Sequence, residues 1–210
     1  RPQQFSQVAG QQAIVKTLQN ALLNQKLSHA YLFSGPRGTG KTTLAKIFAK
    51  ALNCETSPSE PCGVCENCLA LQDNRHPDII EIDAASNNGV DEVRELIDKV
   101  KYAPIKGKYK VYIIDEVHMM TSGAFNALLK TLEEPPSHVL FILATTEPHK
   151  ILPTILSRCQ RFDFGKVNAN DLRNRLELIL KNEKIAFDNA AIDTVIQLAD
   201  GGVRDALSIL

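Results

Sequence analysis

The 210-residue sequence is 44% hydrophobic and 23% charged, enough apolar material for one complete α/β domain and part of a second. Lys plus Arg and Asp plus Glu each number 24, and the zero formal charge argues against a broad sequence-independent nucleic-acid surface. No apolar run reaches the ~18–20 residues that a bilayer crossing needs, and no basic-then-apolar leader is present, so a cytoplasmic, nucleoid-associated location is expected. The sequence opens at Arg1 without a Met and is expected to be a piece of a longer protein.

Ile14, Leu18 and Leu22 recur at helical spacing and predict an amphipathic helix over 12–27. Ala30–Ser34 is a short apolar run stopping at Gly35, the pattern of a buried strand. A glycine-rich turn follows over 35–40, then a helix over 41–53. Three further apolar runs, 79–82, 111–114 and 139–143, predict buried parallel strands. Helices over Val90–Val100 and 124–133 separate them, and Pro135-Pro136 stops the second one. A last strand over 161–164 closes the domain near residue 165. Strands alternating with helices imply a parallel sheet covered on both faces. Beyond Lys166 the pattern turns helical, over 170–184 and 189–200, with Asp171 and either Asp188 or Asn189 as N-caps. Gly201-Gly202 breaks the chain and a further helix starts near Val203. The expected organisation is a nucleotide-binding α/β domain over 1–166 and a small helical domain over 167–210, incomplete at its end.

Gly35-Pro36-Arg37-Gly38-Thr39-Gly40-Lys41-Thr42 matches G-x-x-x-x-G-K-[ST] in full, with Thr43 next in the helix. Glycines let successive backbone N–H groups converge on phosphate. Lys41 supplies a point charge to the β- and γ-phosphates, and the Thr42 hydroxyl is placed to ligate Mg2+. The following helix directs its positive end at the same anion. A glycine turn with an incidental lysine is the competing reading, disfavoured by the strand before and the helix after. Asp115 and Glu116 close the apolar run 111–114. Beside a phosphate loop they read as the Mg2+-holding acid and the base that polarises the attacking water. On their own they would read as an acid pair favoured by a helix dipole.

Cys54, Cys62, Cys65 and Cys68 fall within fifteen residues and supply four thiolates, the donor set of a closed, structural zinc site. Pro58, Pro61 and Gly63 tighten the turns between them. Ferredoxin spacing, with its following proline, is absent, which disfavours an iron–sulfur cluster; buried thiols without metal are the bland alternative. The insert is expected to be a protein-contact knob. Cys159 lies apart and reads as a small apolar residue.

Further blocks accompany these: Arg1-Pro2-x-x-Phe5-x-x-Val8-x-Gly10-Gln11, Asp115-Glu116-Val117-His118, residues 128–135 (Leu-Leu-Lys-Thr-Leu-Glu-Glu-Pro), Ala144-Thr145-Thr146 and Ser157-Arg158-Cys159. Together with the phosphate loop they resemble the AAA+ clamp-loader ATPases. The Ser-Arg-Cys block and the cysteine insert narrow the likeness to the gamma/tau group of bacterial DNA polymerase III. The resemblance implies an AAA+ sheet with a helical lid, and ATP, Mg2+ and structural Zn2+ as cofactors. It implies a hetero-oligomeric ring of clamp-loader subunits, a sliding clamp and primer–template DNA as partners. It makes Thr146, or its neighbour Thr145, the first sensor of the γ-phosphate and Arg204 the second sensor on the lid. Arg158 becomes a finger supplied in trans to the next subunit's ATP, and Val8, Gly10 and Gln11 part of the adenine pocket. Without the family, Arg158 would read as an ion-pair partner, Arg204 as a surface arginine and the threonines as strand ends. Asn87, Asn88 and the helix carrying Arg94 are DNA candidates, opposed by Asp91, Glu92 and Glu95 on the same helix. Another AAA+ DNA remodeller, such as a Holliday-junction motor, and a non-hydrolysing clamp-loader scaffold are the alternatives. The Ser-Arg-Cys block speaks against the first, and intact Lys41, Thr42, Asp115 and Glu116 against the second.

Overall fold

A computed structural model describes residues 2–57, 59–73 and 75–210. Arg1 and Pro58, used in the motif readings above, lie outside the described residues. Five parallel strands form one sheet: β1 (Ala30–Ser34), β2 (Ile79–Asp83), β3 (Lys110–Asp115), β4 (Val139–Thr145) and β5 (Gln160–Asp163), in the order β2-β3-β4-β1-β5. β1 and β4 are buried along their whole length, which is why they read as continuous apolar runs rather than alternating ones.

The two-residue period of each strand sorts its side chains between two cores. Tyr31 and Phe33, Val111 and Ile113, and Leu140 and Ile142 face one core with α1 (Gln12–Leu23) and α2 (Lys41–Leu52). Ala30 and Leu32, Tyr112 and Ile114, and Phe141 and Leu143 face the other with α4 (Val90–Val100), α5 (Ser122–Glu133) and α6 (Pro153–Leu156). Fully burying one of these larger apolar side chains stabilises the fold by about 1.5–3 kcal/mol. A third core joins α7 (Ala169–Asn182), α8 (Asn189–Ala199) and α9 (Val203–Ile209) through Leu172, Leu176, Ile192, Val195 and Ala206.

Several boundaries differ from the sequence expectation. α1 stops at Leu23, four residues early, because Gln25 adopts φ +53°, which no helix continues through. α5 starts two residues early because the Thr121 side chain accepts from Ala124 N. α7 is capped not by Asp171 but by Asn168, whose Oδ1 accepts from Asp171 N at 2.8 Å. Of the alternatives before α8, Asp188 is the cap. α3 (Glu66–Gln72) and α6 were not expected at all; each is seven residues or shorter, too brief for its periodicity to register.

Candidate functional site

Because every strand runs the same way, their C-terminal ends share one edge, the position where open α/β sheets bind ligands. The turn after β1 is the glycine loop, held to that edge by Gly35 N donating to Thr145 O at 3.2 Å. Gly35 has φ +145°, and a Cβ there would meet Phe164 O at 2.3 Å, so only glycine fits. Gly38 and Gly40, at φ +78° and +98°, turn the chain into α2. None of the amides of residues 37–43 donates to any other group among the described residues. Donors left free in a concave turn at a helix N-terminus are what a phosphate requires, so the loop fits the triphosphate of a nucleotide.

Lys41 is 6% exposed, and its Nζ donates to Gly35 O and Pro36 O, both at 2.8 Å. Burial pushes its pKa down, against the pull of Glu116 and Asp115. Thr39 Oγ1 closes the turn on Pro36 O at 2.9 Å. Thr42 Oγ1 donates to Asp115 Oδ2 at 2.6 Å, so the two expected Mg2+ ligands stand side by side. A hydroxyl and a carboxylate oxygen at that separation suit a hard divalent cation.

Glu116 has φ +47°, which turns its side chain off the strand line. Its Oε2 accepts from Thr146 Oγ1 at 3.0 Å and Thr146 N at 3.3 Å. The sequence reading did not assign His118 a role, yet the imidazole joins this group. Nδ1 lies 3.0 Å from Thr145 Oγ1 and 3.4 Å from Glu116 Oε2, and Nε2 lies 3.4 Å from Glu147 Oε1. Thr146 therefore faces Glu116, while Thr145, fully buried, faces His118. The one available signal was the i,i+2 spacing of Glu116 and His118 across the three-residue turn Val117–Met119.

The other expected residues lie around this edge or away from it. Gln11 (φ +60°) clamps Gly165, donating from Nε2 to its carbonyl at 2.7 Å and accepting from its N–H at 3.4 Å. Gly10 packs on Val167 and Val8 against the core under α1. Val8, Gly10 and Gln11 thus line the junction between the sheet and the helical segment. Arg204 stands in α9 beside the loop, where Val203 N donates to Gly38 O at 3.0 Å. Arg158 lies on the surface after α6, its Nη2 2.7 Å from Glu133 Oε1 and its Nη1 2.6 Å from Thr154 O. Arg94 pairs with Asp91 at 3.2 Å on α4, whose first turn carries Asp91 and Glu92.

The four cysteine sulfurs all lie within 4.8 Å of one another, with Cys62 Sγ 3.9 Å from Cys68 Sγ. A zinc ion with ~2.3 Å bonds needs S–S edges of about 3.8 Å, so the cluster fits the metal with little contraction. The N–H groups of Val64 and Cys65 point at Cys62 Sγ (3.4 and 3.3 Å) and that of Cys62 at Cys54 Sγ (3.5 Å). The Thr56 hydroxyl and those two amides lower the Cys62 pKa to about 6. Burial raises that of Cys68, on α3. Cys65 is the N-cap of α3 and Cys68 lies within it, so one short helix brings two of the four cysteines to the cluster. Cys159 packs on the second core, where burial pushes its thiol up to about 11.

A network of buried polar groups ties this insert to the sheet. Asn67 Nδ2 donates to Asn53 O at 3.0 Å, and Asn67 Oδ1 lies 3.2 Å from His76 Nε2. His76 Nδ1 accepts from Asp78 N at 3.2 Å. The Asp78 carboxylate accepts from the N–H groups of Ile105, Lys106 and Gly107, each at 2.7 Å.

A family model described as DNA polymerase III, delta subunit, matches residues 10–168, and one described as DNA polymerase III clamp loader subunit, ATPase lid domain, matches residues 171–210. The chain belongs to the DNA polymerase III clamp-loader family. Within it, the clamp-loader chain is 61% identical to DNA polymerase III subunit tau of Bacillus subtilis over all of its own length and 38% of that protein. Against the tau subunit of Escherichia coli the figures are 51%, all of the chain and 33%. It spans about a third of the length of these tau subunits. The RuvB Holliday junction branch migration motor of Thermotoga maritima superposes with TM-score 0.73 at 21% identity, over 99% of this chain and 63% of that one, a likeness of fold alone. The fold is accordingly AAA+, a parallel sheet between helices with a lid and a four-cysteine cluster able to hold zinc. No helix among the described residues is long and apolar enough to cross a membrane.

Proposed function

We propose that this chain is the ATP-hydrolysing motor portion of a bacterial DNA polymerase III clamp loader, which loads a sliding clamp onto primed DNA within a ring of related subunits. Polymerase chemistry belongs to another subunit. The observation that carries the reading is the convergence at one sheet edge of the free loop amides, the Thr42–Asp115 pair and the Thr146–Glu116 pair.

In this reading residues 1–166 bind ATP and 167–210 form the lid. The amides of 37–43 and Lys41 hold the phosphates, with Lys41 Nζ leaving the carbonyls of Gly35 and Pro36 for phosphate oxygen. Thr42 and Asp115 hold Mg2+, which when bound supplies charge neutralisation at the phosphate oxygens. Glu116, released from Thr146, orients the attacking water and takes its proton. Thr146 then becomes free to meet the γ-phosphate. Arg204 approaches the same phosphates from the lid, through the contact between residue 203 and the loop. Arg158 stands at the surface, able to exchange Glu133 for a neighbour's nucleotide, which makes turnover contingent on assembly. Cys54, Cys62, Cys65 and Cys68 hold a structural zinc. The testing experiment is ATPase turnover of the full-length chain assembled with its partner subunits, with and without clamp and primed DNA. Stimulation of ~10-fold or more by clamp and DNA together is expected; identical turnover in their presence and absence would refute the reading.

A further inference from the structure

A cavity of about 580 Å³ opens between α4 and the β2–β3 edge of the sheet, on the face away from α2. Its volume lies within the ~300–1,000 Å³ of small-molecule sites. Ile80, Ile82, Val93, Leu96 and Ile114 make its walls apolar, with the ring of Tyr112 among them.

Two buried donors belong to this lining. Lys110 is 8% exposed, and its Nζ donates to Lys99 O at 2.8 Å and Tyr102 O at 3.4 Å. No carboxylate lies within 4.0 Å of it among the described residues. An ammonium has three protons, so one remains for a ligand. A buried cation held only by carbonyl oxygens gains most from a counter-charge, since burial makes an unneutralised charge costly. The Tyr112 hydroxyl, also buried, has no hydrogen-bond partner among the described residues. Burial and Asp78 push its pKa up to about 12, which keeps it a neutral donor. Lys99 of α4 and Glu81 of β2 are exposed members of the lining, and so, with a net negative balance, are Glu92 and Glu95 on the exposed side of α4. They disfavour a second negative charge near the mouth, so a fitting ligand carries its charge deep and an apolar body outward.

We propose that this cavity is a binding site for a monocarboxylate with an aromatic or branched apolar body, its carboxylate meeting Lys110. The site is independent of the nucleotide reading. It does abut the acid pair, because Ile114 immediately precedes Asp115 and Met120, another lining residue, follows the turn that carries His118.

The test titrates biphenyl-4-carboxylate, and 4-(hydroxymethyl)biphenyl as its neutral match, into the chain labelled at Ile, Leu and Val methyls. The carboxylate should shift the methyls of Ile80, Ile82 and Ile114 and bind at least ~10-fold more tightly than the alcohol, as expected of a charge-assisted bond. Lys110→Met should erase that difference, with far-UV circular dichroism checking the fold because the substitution also removes the bonds to Lys99 O in α4 and Tyr102 O just after it. Ala103→Trp, at the mouth, leaves Lys110 in place and should block both compounds. Absence of methyl shifts at millimolar ligand, or binding unaltered by Ala103→Trp, overturns the site. Equal affinity for carboxylate and alcohol in the unsubstituted chain overturns the ligand class.

Discussion

Lys41 illustrates how one side chain is held ready. Its ammonium is buried on two carbonyl oxygens of its own loop, so binding exchanges partners rather than stripping a fully hydrated charge. Lys41→Ala should weaken binding of a fluorescent ATP analogue by ~10–100-fold, the range for losing a hydrogen bond to a charged group. Thermal stability should change little in comparison. Asp78 makes the opposite kind of contribution, to stability rather than binding. Burial works against its charge, but the amides of Gly107, Ile105 and Lys106 outweigh it and hold the pKa below the usual carboxylate range. A depressed folded-state pKa means that the stabilisation is complete above the unfolded value of about 3.9 and is lost as pH falls through the folded one. Asp78→Asn turns its amide NH2 toward at least one backbone donor, that of Ile105 when its oxygen keeps the other two, and should cost about 2–3 kcal/mol in urea unfolding at pH 7. That penalty should shrink steadily below about pH 4. A constant penalty down to pH 3 would remove the charge from the explanation.

At the scale of elements, the proposed zinc would supply α3 with support that its own sequence lacks. Seven residues are too few for a helix to persist alone, and its N-cap and one inward residue are both cysteines of the cluster. Elemental analysis of protein purified without chelator should find one zinc per chain. Removing it should melt α3 and, through Asn67 and His76, loosen the start of β2, read as faster amide exchange at residues 76–80. Protons compete with a metal for thiolates, so retention should fall on acidification, and the amides and hydroxyl that favour the Cys62 thiolate should delay that loss. The same elements explain what the sequence reveals and what it hides. Strands buried on both faces announce themselves as apolar runs, and the glycine loop is a contiguous string whose spacing is its chemistry. α3 and α6 are too short to carry a period, and the caps at Thr121 and Asn168 turn on which nearby oxygen reaches an amide. The pairing of His118 with Thr145 joins residues 27 positions apart through the register of β3 and β4. No local pattern encodes such a contact.

For the whole molecule, the proposed roles assign the arginine at the surface and the loop at the sheet edge to different sites of one assembly. Mixing full-length Arg158→Ala subunits with Lys41→Ala subunits should recover part of the turnover that each lacks alone, because some interfaces then combine an intact loop with an intact finger. If activity in the mixture equals the sum of the separate variants, Arg158 acts within its own chain. The bond from Val203 N to Gly38 O bears on how such an assembly is timed. Gly38 sits mid-loop, with Gly202 and Asp205 close enough that a Cβ there would touch both. On the proposed function, a reshaping of residues 36–40 around a phosphate would pull on the first turn of α9 through this bond. The occupancy of the loop would then be readable as the tilt of an entire lever, and a neighbour resting on that lever would sense the fuel without touching it.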